Sequence, residues 1–283
     1  MKNIAVLPFK YLAISFLFLL STSLQAQIKP RLLEVIQEKV SGGYKIYAKN
    51  TNACPVSLFF DFQANNTCGI PKGRILVEAK AEKQFLFYLS ACQTQEAYKF
   101  TYQYTYWLGD TELLKYDEKF TYMLPFSEGA SYKVIQGYFG NYSHQAEYAI
   151  DFKMPEGSKV TAMREGIVVL VKEDSNRGGG SITFVNDGNF VLIYHSDGTF
   201  ANYYHFKKSG CVVKEGDIVR QGQLIGYSGN TGWSSEPHLH VDIFSFKPML
   251  NEKNMLTYPA FFMVGKNRQT TLEFGKTYTS VRP

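Results

Sequence analysis

The stretch Trp233-Ser234-Ser235-Glu236-Pro237-His238-Leu239-His240-Val241 decides how this chain is read. Pro237 stands where a strand can begin, and Val241-Asp242-Ile243-Phe244 continues it with mostly apolar, β-prone residues. Successive strand residues point to opposite faces, so His238 and His240 share one side. Two neighbouring imidazoles are either a metal or acid/base site or ordinary polar groups on a wetted face. The remaining histidines favour the site. All five, His144, His195, His205, His238 and His240, fall in the second half of the chain.

One carboxylate stands out among them. Asp151 lies in the middle of the apolar strand Tyr148-Ala149-Ile150-Asp151-Phe152, where burial is costly unless the charge is paired or bound to a metal. A structural salt bridge would account for it. Together with His144, from the polar turn just before, and one imidazole of the His-x-His pair, it would also give two nitrogens and one oxygen. Zinc takes such a set in hydrolytic sites while keeping a position open. The spacing leaves His238 and His240 equal as the third ligand, and with no His-Glu-x-x-His helix present the general base is expected to be a histidine.

The chain has 283 residues, enough for about two domains. Its content is 45% hydrophobic and 16% aromatic, which is ample for packed β-rich cores. A net charge of +5 without a dense basic run argues against nucleic acid as a partner. Residues 1–26 read as a secretory signal: Lys2 and Lys10, a short apolar region at 11–20, and Leu24-Gln25-Ala26 as the cleavage site. That region falls short of the ~20 apolar residues that span a bilayer, so no membrane span is expected in the mature chain. Export permits disulfides. Of Cys54, Cys68, Cys92 and Cys211, three lie in the first half, so a bridge there is expected rather than one reaching Cys211; no Cys-x-x-Cys spacing suggests a zinc cluster.

Residues 27–125 form a series of short alternating segments at 44–48, 56–62, 85–88 and 98–107, with turns at 50–55, 65–73 and 109–110. The expectation is an immunoglobulin-like β-sandwich that binds or spaces, with its aromatic run at 98–107 serving as packing. The texture changes at 124–129. Strand-like segments at 148–152, 160–171, 181–195, 200–205 and 217–227 follow, with a glycine-rich loop at 177–180, so residues 126–283 are expected to be all-β as well.

Several motifs here resemble the lysostaphin-type (LytM-like) zinc metallopeptidases. They are His144 with Asp151, Tyr203-Tyr204-His205-Phe206, and Gly229-Asn230-Thr231-Gly232-Trp233 running on to His240. Pro155-Glu156-Gly157, Glu165-Gly166-Ile167-Val168, His195-Ser196-Asp197-Gly198 and Val213-Lys214-Glu215-Gly216-Asp217 agree too. The resemblance covers about 131–244 and says nothing about 27–125. It implies an antiparallel sheet lining a groove, Zn2+ held by His144, Asp151 and His240, and His205 and His238 as base and transition-state stabiliser. His195 stays outside the ligand set. The implied substrates are peptidoglycan peptides, cross-bridge or stem. The sandwich, which the resemblance does not cover, is expected to position the catalytic half or to contact a protein partner.

Two departures from the family pattern are the longer spacing from His144 to Asp151 and Glu236, a negative charge where glycine is common. The alternatives are a non-catalytic wall-binding protein or activator of other wall hydrolases, and an endopeptidase for secreted proteins.

Overall fold

In the computed structural model, residues 33–113, 116–248, 254–265 and 269–282 are described; the expected signal segment lies outside them. The architecture is all-β apart from one 3₁₀ turn, Ile182–Asp187, among the described residues. The alternating segments of the first half become strands Leu33–Val40, Gly43–Asn50, Val56–Asn65, Gln84–Ala91 and Lys99–Leu108, with shorter pieces between. They build two sheets, one of four strands and one of three. Ile46, Phe87 and Leu89 of the first sheet pack against Phe60, Phe62, Ile75 and Phe100 of the second. The aromatic run is packing, as expected: Phe60 and Phe62 each meet Tyr102 at 5.4 Å, and Phe100 stacks on Tyr102. Cys68 and Cys92 form a disulfide, while Cys54 and Cys211 are free.

The second half is dominated by a nine-stranded sheet in which every pairing is antiparallel. Its centre is His238–Phe246, flanked by Phe200–Tyr204 on one side and Ala149–Lys153 on the other. The period of two along the central strand sorts its residues between faces. Leu239, Val241 and Ile243 point into a core shared with Phe126, Val160, Ala162, Phe206 and Ile225. His238, His240, Asp242, Phe244 and Phe246 alternate with them and take the other face.

That other face is divided. The histidine end carries the site, and the phenylalanine end is covered by the sandwich: Phe190, Phe200, Phe244 and Phe246 share one apolar cluster with Leu33, Val56, Leu58, Val77 and Leu108. Trp107 meets Phe246 at 6.0 Å. Gly109 turns the chain at φ +72°, and a Cβ there would lie 2.8 Å from the Phe200 ring, so only glycine fits both the turn and the close approach. The connection then runs over the second half. Lys247 Nζ donates to the carbonyls of Thr111 and Leu113, the Asp117 amide donates to Asp197, and Tyr122 and Leu124 already lie in the second core. Arg164 fastens this strap, paired with Asp197 at 2.6 Å and stacked 4.0 Å above Phe120.

The segment 181–195 departs from the strand expectation. Its first part winds into the 3₁₀ turn Ile182–Asp187, where Ser181 accepts the Thr183 amide as an N-cap, and only Phe190–Tyr194 is strand. The glycine-rich approach and Gly188 break the ladder on both sides.

The shared apolar cluster predicts coupled unfolding. Phe200→Ala, at a side chain 1% exposed, should cost about 3–5 kcal/mol. Denaturant unfolding followed separately through both halves should still give one transition; two separated transitions would show that the halves are independent.

Candidate metal centre

Strand register brings the site together. Asp151 and Tyr204 stand directly opposite His240, and Lys153 stands opposite His238. His144 arrives from the turn before Ala149–Lys153, and His205 follows Phe200–Tyr204 at φ +71°. That left-handed conformation costs about 1–3 kcal/mol and turns the imidazole away from the strand direction.

Four of the five histidines converge on Asp151 or on one another. Asp151 Oδ1 lies 3.0 Å from His240 Nδ1 and 3.3 Å from His144 Nε2, and those two nitrogens are 3.1 Å apart. A tetrahedral ion with bonds near 2.05 Å has ligand atoms about 3.3 Å from one another, so the three atoms are spaced as one face of such a site. They are buried, and they form a group that could hold a metal ion. The donor set suits a borderline cation such as zinc. His238 Nε2 is farther from Asp151 Oδ1, at 3.9 Å, and its ring lies 4.3 Å from that of His205. Of the two histidines that strand periodicity leaves equivalent, His240 is therefore the one in the three-atom cluster.

Each of these imidazoles has its other nitrogen held. His144 Nδ1 pairs with the Gly137 carbonyl at 3.1 Å, His205 Nδ1 with the Thr231 carbonyl at 2.6 Å, and His238 Nδ1 with the Glu236 carbonyl at 2.8 Å. These carbonyls make Nδ1 the donor and leave Nε2 free to face the centre. His240 is reversed: its Nε2 faces Asp242 Oδ2 at 3.3 Å and its Nδ1 faces the cluster. His195 is elsewhere, with Nδ1 on the Glu165 carbonyl and its ring toward Tyr122, and burial lowers its pKa to about 4.

Burial alone would raise the Asp151 pKa, but nearby His238 and His144 hold it well below the usual carboxylate range. Burial would lower that of His240, yet hydrogen bonds to Asp151 and Asp242 win and push it up to about 10. His205 goes the other way: burial and then the neighbouring imidazoles keep it neutral. Glu236 adds no free negative charge, because Lys153 pairs with it at 2.7 Å. Trp233 Nε1 donates to the Gly180 carbonyl, and the Tyr142 ring lies 5.5 Å from that of Trp233 at a 46° tilt, so the loops holding His144, Gly180 and Trp233 meet.

Sequence reasoning missed the supporting groups. Asp242 had a signal, since it lies two residues beyond His240 on the same face; Gln136, which touches Asp151, had none.

Fold and site define a class: an antiparallel β domain whose two imidazoles and one carboxylate form a buried group that could hold a metal ion, with two more imidazoles alongside. Residues 145–253, 109 of the 283, match the model of Peptidase family M23, and the site described above lies within or just beside that stretch. An uncharacterized metalloprotease of Buchnera aphidicola subsp. Baizongia pistaciae is 33% identical over 134 residues, 47% of this chain and 31% of that one. Peptidoglycan DD-endopeptidase ShyA of Vibrio cholerae is 37% identical over 93 residues, 33% of this chain and 19% of that one. Lysostaphin of Staphylococcus staphylolyticus is 39% identical over 105 residues, 37% and 18% of the two chains. The alignments thus span 18% to 31% of these relatives' lengths.

A cation entering this cluster must displace the proton that His240 holds up to about pH 10 when metal-free. Affinity should therefore rise with pH across the neutral range, by about tenfold per unit for each proton released. Equilibrium dialysis with zinc at pH 6 and pH 8 checks this, and equal affinities would contradict it.

Proposed function

We propose that this protein is an exported zinc metalloendopeptidase that cleaves peptide bonds in the cross-links or stem peptides of bacterial peptidoglycan. The observation that carries the reading is the orientation of the imidazoles: His144 and His240 each keep one anchored nitrogen and turn the other toward Asp151 Oδ1. His144, Asp151 and His240 would hold the ion. Bound there, zinc would supply Lewis acidity toward the scissile carbonyl and make water acidic enough to attack near neutral pH.

The chain's own residues would do the rest. His205, kept neutral by burial and donating from Nδ1 to Thr231, presents a bare Nε2 that can take the proton from attacking water and pass it to the leaving amine. His238, fixed by the Glu236 carbonyl, faces the same space and stabilises the oxyanion when it carries a proton. The relatives named peptidoglycan endopeptidase and lysostaphin support a wall-peptide substrate. The Cys68–Cys92 disulfide, together with the signal-like residues 1–26, supports export. The amino-terminal sandwich, which we take as immunoglobulin-like, would hold the catalytic half against the wall or a partner protein in a fixed orientation, because the two share an apolar core.

Digestion of purified sacculi, with mass analysis of released fragments, tests this; new amino termini within stem or bridge peptides are expected. Asp151→Ala and His240→Ala should purify without zinc and without activity. His205→Ala should retain zinc and lose about 10²–10⁴ in rate, about 3–5 kcal/mol of barrier. Sacculi left intact by a zinc-loaded wild type would favour a wall-binding or activating role. Near wild-type cleavage by all three variants would sink the enzyme assignment.

A further inference from the structure

Six residues separate His144 from Asp151, so the turn between them cannot by its shortness alone fix how the two side chains meet. One side chain outside that turn touches both ends of the problem. Gln136, the last residue of strand Ser131–Gln136, stands opposite Asp151 in the sheet, at the bulge between Asp151 and Phe152. Its Nε2 donates to Asp151 Oδ2 at 3.0 Å and to Ser143 Oγ at 2.6 Å. Its Oε1 accepts the amides of Tyr142 at 3.2 Å and Ser143 at 3.3 Å.

Both donors and both acceptor positions of the amide are thus used, and the amide cannot be flipped without setting oxygen against the Asp151 carboxylate. The next residue completes the arrangement, because the Gly137 carbonyl pairs with His144 Nδ1. Gly140 leaves the space: a Cβ there would lie 2.5 Å from Gln136 Cγ.

We propose that Gln136 is a positioning residue of the metal centre, clamping Asp151 Oδ2 so that Oδ1 faces His144 and His240 while tying down the turn that delivers His144. It touches neither ion nor substrate. The inference rests on the zinc-site reading above, and metal affinity separates the two.

The test is competitive zinc titration of the full mature chain against a chelating dye, for wild type, Gln136→Ala, Gly140→Ala and the double variant. Gln136→Ala should bind zinc about 10–100-fold more weakly. Its rise in unfolding midpoint on adding zinc should shrink relative to that of wild type, whatever is lost from the metal-free midpoint with its four hydrogen bonds; a merely structural residue would lower the metal-free and zinc-loaded midpoints equally. Gly140→Ala should weaken zinc binding by pushing Gln136 aside. The double variant should be no weaker than Gln136→Ala, since the new methyl then meets no Cγ.

Should Gln136→Ala not fold, Gln136→Met, of similar size but with no amide, must weaken zinc to the same degree. Affinity within twofold of wild type in these Gln136 variants, or a double variant weakened by the sum of the single losses, overturns the proposal. Wild type that binds no zinc instead overturns the metal-centre reading beneath it.

Discussion

A carboxylate held 6% exposed in an apolar strand is the constraint on which the second half of this structure depends. Removing Asp151 from water opposes its charge, and nothing in its own strand compensates. Compensation comes from other strands and turns: His144 before it, His240 opposite it, His238 nearby, and Gln136 on its far side. Gln136, Asp151, His240 and Tyr204 occupy one row across four adjacent strands of the sheet. A row of this kind follows from antiparallel register, and a slip of one residue in any strand would turn its member to the opposite face. The register therefore protects the site as much as the core does.

The same sheet face serves two purposes. Going from His238 to Phe246, the side chains change from imidazoles through Asp242 to two phenylalanines buried under the sandwich. Full burial of each aromatic contributes about 1.5–3 kcal/mol, so the sandwich stabilises the strand that carries His238 and His240. Arg164, Asp197 and Lys247 fasten the connecting strap by polar contacts. The site thus rests on a sheet whose opposite end is fixed by a separate layer of chain, with His205, at positive φ, as a strained element held by Thr231 and the Asn189 carbonyl.

Much of this was legible in the sequence because it depends on local periodicity. Alternation marked the long strands of the first half, His-x-His marked one face, and an aspartate in an apolar run marked a buried charge. What was hidden depends on partners far along the chain. The period of two placed His238 and His240 together, and only the Glu236 carbonyl and Asp242, which hold opposite ring nitrogens of the pair, separate them. Nothing in the sequence around Phe244 and Phe246 shows that the other half of the chain covers them. The strand expected at 181–195 gave way to a 3₁₀ turn because glycine and Ser181 capping outweighed its β-branched residues. Gln136 carried no signal at all, since a glutamine at a strand end has many uses.

The central claim is that one ion sits on the face formed by His144, Asp151 and His240. Anomalous diffraction at the zinc edge from crystals grown with zinc tests it directly. The account predicts a single strong peak, about 2.0–2.2 Å from His144 Nε2, Asp151 Oδ1 and His240 Nδ1. A peak between His205 and His238, or one bound through His240 Nε2, would contradict it.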